Sequence, residues 1–267
     1  LGKTIKKKFT LRGTHTSTNT GDPAAKILTA AFNLTLEIHG NFYGAGGVGG
    51  TSSSVNGTNG GAALSINSGR VNVDIQPSGK IYGGGGGGEF GANGSQGTAG
   101  TCQKDTNVSA CNTDPSCPPG QTLISQSQGG CCALERFCWG PWQSFCGNNC
   151  VGYTQVGVCR ETTASSTPAA VIGGNGGAGR GFNNFSGSLS GSAGASPNCP
   201  TCASGFTLQG GTGSCGSQGG TGGTGGDWGQ NGGSTAAAGS GGSSGAAITG
   251  SGFTVVGNNS NTVKGAI

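Results

Sequence analysis

Apolar and polar residues alternate along two stretches in the first third of the chain. Phe32, Leu34, Leu36 and Ile38 form the first stretch, and Leu64, Ile66, Val71, Val73 and Ile75 form the second. A period of two is typical of strands that bury one face. We therefore predict short β-strands over residues 32–38 and 64–75.

The two predicted strands belong to an internal repeat. Each leads into a turn, an aromatic residue and glycine, as Gly40-Asn41-Phe42-Tyr43-Gly44 and as Gly79-Lys80-Ile81-Tyr82-Gly83. A weaker third copy lies further on, where residues 245–248 resemble residues 61–64, and where 253–256 are followed by 263–265. Repeated units of this kind bury apolar surface by stacking on one another.

Glycine accounts for 62 of the 267 residues, and many of the glycines are spaced by three. The longest series run from Gly85 to Gly100 and from Gly210 to Gly225. Three residues per turn is the period of the polyproline II helix, on which such a series forms one bare stripe. Bare stripes let backbones approach closely, so we predict a packed bundle of polyglycine II segments. A flexible linker would not need phased glycines, and collagen needs a longer, strict and proline-rich repeat.

The predicted fold class is irregular and all-β, with short strands, a polyglycine II bundle and a disulfide-rich insertion. Almost no α-helix is expected, except a turn near 131–137, because glycine costs a helix about 1 kcal/mol relative to alanine. We expect a basic N-terminal strand or linker over 1–31 and strand and polyglycine repeats over 32–101. A Cys-rich insertion is expected over 102–170, and a polyglycine bundle with a C-terminal strand repeat over 171–267.

The chain has 12 cysteines, most of them between residues 102 and 159. A region with little apolar mass and many cysteines is usually stabilised by disulfides, which indicates an extracellular setting. Zinc is the alternative, because Cys199-Pro-Thr-Cys202 has the spacing of a metal-binding pair. A second such pair is missing, and His15 and His39 lie far upstream. We expect most cysteines to be paired, 102–159 to form a self-contained knot, and no metal site.

Candidate catalytic and nucleic-acid motifs lack the context that they need. Residues 44–49 fit GxGxxG and residues 241–245 fit GxSxG, but neither motif has the strand and helix that would position it. Residues 1–13 carry five basic groups, but no basic domain surrounds them, which argues against nucleic acid. We expect no enzyme activity, no cofactor and no nucleic-acid partner.

The segment from Arg136 to Cys146 is the most distinctive part of the sequence. It contains two of the 3 tryptophans within eleven residues. One interpretation is a small core supported by disulfides. The other is a contact surface, because aromatic residues and arginine dominate binding hot spots. The predicted receptor-binding residues are Arg136, Phe137, Trp139, Trp142, Phe145 and Tyr153.

Residues 32–100 and 245–267 resemble the glycine-rich C-terminal region of tail-tip and tail-fibre proteins of tailed phages, of the lambda central-fibre type. Tyr82, the glycines from Gly83 to Gly88, and the Gly-Gly-Ala-Ala-Leu at 60–64 carry this resemblance. The glycine tracts are also similar to those of the tail-fibre tip adhesins of T-even phages. That resemblance implies a sandwich of polyglycine II helices whose loops contact a bacterial receptor. Residues 102–159 match no part of that family.

The function that the resemblance implies is a receptor-binding adhesin at the tip of a phage tail fibre. Its partners would be an outer-membrane protein or glycan of the bacterial surface and other tail-fibre proteins. A homotrimer is an arrangement that the resemblance leaves open. The location would be the virion, outside the cell. The alternatives are an extracellular structural fibre protein and, third, an ice-binding protein.

Overall fold

The computed structural model describes residues 6–28, 33–67, 70–139, 145–235 and 239–267, without the side chains at 137–139 and 145–146. The chain divides into two compact units. The first comprises residues 1–96, 170–197 and 216–267, and the second comprises residues 97–169 and 198–215. The regular secondary structure within the described residues consists of β-strands, which confirms the predicted all-β class.

The strands are numbered here in chain order. Within the described residues they are β1 (Lys6–Leu11), β2 (Thr14–Thr16), β3 (Ala25–Ile27), β4 (Asn33–Ile38), β5 (Asn41–Tyr43), β6 (Leu64–Ile66), β7 (Val71–Ile75), β8 (Lys80–Tyr82), β9 (Thr101–Cys111), β10 (Gln121–Trp139), β11 (Phe145–Ala164), β12 (Thr207–Leu208), β13 (Ile248–Gly250), β14 (Thr254–Val256) and β15 (Val263–Lys264).

The strands of the first unit form a short parallel β-solenoid with three sheets. The sheet orders are β1-β4-β7-β14, β2-β5-β8-β15 and β3-β6-β13, so each of the first three turns of the chain adds one strand to each sheet and the last turn adds a strand to the first two. Tyr43 pairs in register with Tyr82, and Leu64 pairs with Ile248. The predicted repeat is therefore confirmed as successive coils of one solenoid. Phe32, the first residue of the predicted strand, lies outside the described residues.

Alternate side chains of these strands point into the solenoid and form its core. Leu36 lies beside Val73 in one sheet, and Phe42 lies beside Ile81 in the next. Burial of each large apolar side chain contributes about 1.5–3 kcal/mol. The core consists of Leu36, Ile38, Phe42, Ala63, Leu64, Ile66, Val71, Val73, Ile75, Ile81, Ala247 and Ile248.

Glycine tracts leave the solenoid after β5 and β8 and return to it at β6 and β13. Their backbones hydrogen-bond to one another without forming sheets. Three consecutive glycines show the pattern. Gly84 donates to Gly61 and accepts from Gly245, Gly85 donates to Arg180 and accepts from Gly47, and Gly86 donates to Gln230 and accepts from Gly226. One segment thus bonds to six others.

The same six bonds recur three residues later. Gly87 donates to Thr58, Gly88 donates to Gly177, and Glu89 donates to Gly233. Three residues is the period of the polyproline II helix, although the assignment of these segments to that conformation stays a prediction. Glycine is required by close approach, because a Cβ at Gly84 would lie 1.8 Å from the carbonyl oxygen of Ala45.

The second unit is an antiparallel sheet in the order β10-β11-β9-β12. Strands β10 and β11 form a long hairpin, and β9 pairs with the C-terminal half of β11. Residues 131–137 lie inside β10, so the expectation of a helical turn there is wrong. The ladder to β11 continues through them with local irregularities, because cross-strand bonds satisfy their backbone groups.

Disulfides connect the strands and loops of the second unit, which confirms the predicted disulfide-rich insertion. Within the described residues they are Cys102–Cys202, Cys111–Cys132, Cys117–Cys159, Cys131–Cys150 and Cys199–Cys215. The expectation of a self-contained knot over 102–159 is wrong, because Cys102 bonds to Cys202 after the chain returns from a glycine tract. Cys138 and Cys146 are register partners in the hairpin.

Candidate functional site

The predicted contact residues lie at and near the end of the β10–β11 hairpin. Trp139 is the register partner of Phe145, and Phe137 is the partner of Gly147. Alternate positions of a strand lie on one face, so positions 137, 139 and 145 share a face of the hairpin. Arg136, the residue before Phe137 in β10, is exposed. Trp142, in the connection between the strands, lies outside the described residues.

The outer part of this hairpin is a two-stranded ribbon. Strand β9 pairs with β11 only from Thr154 onward, so residues 145–153 pair with β10 alone. Two apolar side chains of the ribbon are exposed, Leu134 by 64% and Val151 by 53%. An isolated two-stranded hairpin is marginally stable in water. The Cys131–Cys150 disulfide joins the two strands and holds the ribbon together.

Tyr153 is separated from the other predicted contact residues. It pairs in register with Cys131, eight residues from Phe145 along the strand, or roughly 27 Å. Its side chain is 47% exposed and lines a cleft of about 530 Å³. The other lining residues are Asn112, Thr113, Asp114, Gln128 and Gln155.

The loop that forms the outer wall of this cleft is anchored at both ends. The Cys111–Cys132 disulfide holds one end, and Cys117–Cys159 holds the other. Between them Pro115 packs on Gly157, where a Cβ would lie 2.9 Å from the proline Cγ. Glycine at 157 therefore lets the loop lie against the sheet.

Asn112 fixes the loop beside Tyr153. Its φ of 59° lies in the left-handed region, which asparagine tolerates better than most residues. The Tyr153 backbone N–H donates to Asn112 Oδ1 at 3.0 Å, and the Asn112 N–H donates to the Tyr153 carbonyl at 3.2 Å. The cleft wall is thus tied directly to the strand that carries Tyr153.

An aromatic cluster in the first unit was not predicted from the sequence. Tyr43 lies 5.2 Å from Trp228 and 5.4 Å from Phe185 between ring centroids, and Tyr82 lies 5.8 Å from Trp228. Burial raises the pKa of the Tyr43 hydroxyl, with a smaller contribution from Tyr82. The sequence repeat indicates one part of this cluster, because Tyr43 and Tyr82 occupy equivalent positions in successive coils, with ring centroids 5.7 Å apart.

The loop at 181–187 supplies Phe185 to that cluster and is held by asparagines. The backbone N–H of Gly46 donates to Asn183 Oδ1 at 2.7 Å. Asn184 Nδ2 donates to the Gly179 carbonyl at 3.3 Å. Phe185 remains 51% exposed and Phe182 43% exposed, so the scaffold displays two phenyl rings on a fixed loop.

Two further features concern ligands and membranes. Within the described ranges, no group of three or more His, Cys, Asp or Glu side chains is arranged to hold a metal ion. Those same residues include no helix with the length and apolar character needed to cross a membrane.

Comparisons with known proteins relate the chain to phage adhesins. Residues 3–134 match the family model described as phage tail fibre adhesin Gp38, so the expectation that residues 102–159 match no part of the family is wrong for residues 102–134. Among solved structures, the chain is similar to the gp37–gp38 adhesin tip complex of the bacteriophage S16 long tail fibre. The match covers 98% of this chain and 71% of that chain, with 17% sequence identity and a TM-score of 0.40. No curated protein matches the sequence.

Proposed function

Residues 3–134 match the Gp38 family of phage tail fibre adhesins, and we propose that the chain contacts its receptor through the end of the β10–β11 hairpin. It is a receptor-binding adhesin at the tip of a tail fibre, and its location is the virion, outside the cell. The proposal concerns which residues bind and what they bind. The receptor is a protein or a glycan of the bacterial surface.

The exposed apolar side chains of the two-stranded ribbon carry this proposal. Leu134 and Val151 face solvent on a ribbon that β9 does not cover. Exposed apolar side chains on a hairpin are available for contact with a partner. The Cys131–Cys150 disulfide limits the conformations of the free ribbon, so that less entropy is lost when a receptor binds.

The aromatic residues at the hairpin end would provide the anchors. Trp139 and Trp142 are the proposed main contacts, with Phe137 and Phe145 beside them. Arg136 would pair with a carboxylate or phosphate of the receptor. The glycine segments offer a partner little besides backbone, which supports a contact site in the loops and hairpins that they hold.

We propose that this adhesin acts by binding alone. Several carboxylates form ion pairs with lysine or arginine side chains of the chain itself. Glu37 accepts from Lys8 at 2.7 Å, Asp105 accepts from Arg160 at 2.7 Å, and Asp227 accepts from Arg180 at 3.2 Å. Groups held in this way are poorly suited to exchange protons with a substrate. Incubation with surface polysaccharide, followed by mass spectrometry, should give no cleaved or modified product.

Other tail-fibre proteins are the proposed partners, with the first coil of the solenoid as the attachment surface. Phe9 is in register with the buried Leu36, yet its side chain is 55% exposed because β1 ends the sheet. An inward-facing phenylalanine on the outermost described strand of a sheet favours stacking by another β-structure. The homotrimer is a separate proposal, which the mass of the chain in solution tests.

Replacement of the two hairpin tryptophans tests the receptor site. Phage carrying Trp139→Ala and Trp142→Ala together should adsorb to host cells with affinity about thirtyfold lower, since a true anchor contributes about 2 kcal/mol or more. Ile172→Ala is the matched control, because that side chain is 61% exposed in the first unit. Unchanged adsorption by a folded double variant would place the contact elsewhere, first in the loop at 182–208.

Replacement of Phe9 tests the attachment surface. Phe9→Ser should reduce incorporation of the chain into phage particles about tenfold, measured by immunoblot of purified phage, because an apolar contact residue is lost. Binding of the isolated chain to cells should not change. Val48→Ser, at a residue 60% exposed in the same unit, should be incorporated normally. Normal incorporation of the Phe9 variant would contradict the assignment of this surface.

A further inference from the structure

The cleft beside Tyr153 has the chemistry of a second binding site. We propose that it binds a neutral saccharide of the bacterial surface. This inference rests on the proposed adhesin function and names a receptor chemistry for one part of it. The cleft lies between the loop at 112–114 and the sheet formed by β10 and β11.

Amides and hydroxyls make up most of the lining. An amide has an NH₂ donor and a carbonyl acceptor, and a sugar hydroxyl can likewise both donate and accept. The lining can therefore form hydrogen bonds with an uncharged sugar. Gln128 and Gln155 are register partners on neighbouring strands, which brings their side chains within reach of one ligand. Thr113 adds a hydroxyl on the opposite wall.

Tyr153 supplies the apolar part of the site. Its side chain is 47% exposed at the cleft, although it belongs to a paired strand. A tyrosine ring presents a flat apolar face and a polar hydroxyl, and a pyranose ring likewise has an apolar C–H face and polar edges. The ring therefore stacks on the sugar, while the amides bind its hydroxyls.

Asp114 determines which saccharides the cleft accepts. It is the one charged residue of the lining, and one of its oxygens accepts from the Gln126 amide at 2.8 Å. The carboxylate can accept a hydrogen bond from a sugar hydroxyl, but it repels phosphate and carboxylate groups. Neutral sugars are favoured over the phosphorylated and acidic ones.

The cleft is rigid before any ligand arrives. Two disulfides anchor the loop, Pro115 rests on Gly157, and Asn112 bonds to the backbone of Tyr153. A ligand therefore does not have to order the loop, which matters for a weakly bound sugar. The cleft lies roughly 27 Å from the hairpin end, so one receptor can contact both the cleft and the hairpin end, or two receptors can bind to them separately.

The test uses the whole chain, labelled with a fluorophore, and a panel of bacterial strains. For strains that bind, two purified probes are titrated: lipopolysaccharide polysaccharide freed of lipid A, and capsular polysaccharide, each before and after removal of phosphate. We expect one dephosphorylated probe to bind directly and to compete with cells. Which probe binds identifies the source of the saccharide.

Three variants separate the cleft from the rest of the chain. Tyr153→Ala should weaken saccharide binding about tenfold or more, whereas Tyr153→Phe should retain most of it because the ring is kept. Gln128→Ala should weaken it severalfold. Ser127→Ala is the matched control, since Ser127 is the neighbouring exposed residue on the opposite face of β10. Circular dichroism checks the fold of each variant.

The outcomes distinguish this inference from the adhesin function. If the chain binds cells but neither polysaccharide, and Gln128→Ala binds cells normally, the cleft is not a saccharide site and the adhesin function stands. If protease treatment of the bacterial cells abolishes binding of the chain, and the chain binds neither polysaccharide, the receptor is a protein and the inference is overturned. Failure to bind any strain would contradict the proposed receptor contact itself.

Discussion

Glu89 is the residue on which one part of the glycine scaffold depends. Its side chain is fully buried within the central glycine segment. Its two carboxylate oxygens accept from the backbone N–H groups of Thr235 and of Gly239, the latter at 2.7 Å. The acid therefore links Thr235, at the end of one glycine-rich segment, to Gly239, at the start of the next. A buried carboxyl group is tolerated in this position because both of its oxygens accept hydrogen bonds.

Glu89→Gln should destabilise the first unit. The amide NH₂ would face one of the two backbone N–H groups, which leaves a buried donor unsatisfied at a cost of about 1–3 kcal/mol. The free energy of unfolding in urea measures the effect. Asp22→Asn, at an exposed carboxylate of the same unit, should change it little. Equal stability of the two variants would show that this part of the scaffold does not need the carboxylate.

At the scale of elements, the pairing of β9 with β11 includes an ion pair. Arg160 and Asp105 are register partners, and the guanidinium donates to both carboxylate oxygens at 2.7 and 2.8 Å. These hydrogen bonds hold the pKa of Asp105 below its usual value and raise the pKa of Arg160. The ionised carboxyl is therefore favoured in the folded sheet.

Acid should weaken this strand pair. A carboxyl whose pKa is lower in the folded state stabilises that state above the pKa of the unfolded chain, near 4, and the contribution is lost as the pH falls through the lowered value. Protection factors of the β9 amides, which are corrected for the intrinsic dependence of exchange on pH, should fall at acid pH in the wild type. Asp105→Asn should remove that part of the pH dependence. A variant with the same pH profile would contradict the assignment.

The elements that the sequence predicts are those encoded by neighbouring residues. The strands at 33–38 and at 71–75 and the equivalent positions of the two tyrosines could be predicted, because the alternation of apolar residues and the turn that follows it are encoded by neighbouring residues. The partners of the cysteines were not readable, since Cys102 meets Cys202 only after 100 residues. The aromatic cluster depends on the same long returns, although Trp228 interrupts the glycine series at its next position.

At the scale of the whole molecule, all 12 cysteines fall in the second unit. The first unit relies on solenoid packing and on glycine hydrogen bonds, which reducing agents do not affect. Each disulfide of the second unit contributes about 2–4 kcal/mol. The two units should therefore respond differently to reduction.

Reduction with dithiothreitol should expose the second unit to protease and leave the first unit resistant. Cleavage sites mapped by mass spectrometry should fall within 97–169 and 198–215. The untreated chain, incubated with the same protease, is the control. Cleavage spread evenly over both units after reduction would contradict the division. Cell binding should be lost at the same time, because the proposed contacts lie in the second unit.

The six-neighbour arrangement of the central glycine segment has a consequence for synthesis. Segment 83–94 bonds to residues near 175, near 223, near 232 and near 243, so four of its six partner segments are translated long after it. Until then, its N–H and C=O groups are bonded to water. Contacts so distant in sequence close slowly, and chains that wait for them are exposed to proteases and aggregation. Because a glycine tract exposes almost no apolar surface, it can remain unpaired in the nascent chain without aggregating with other chains.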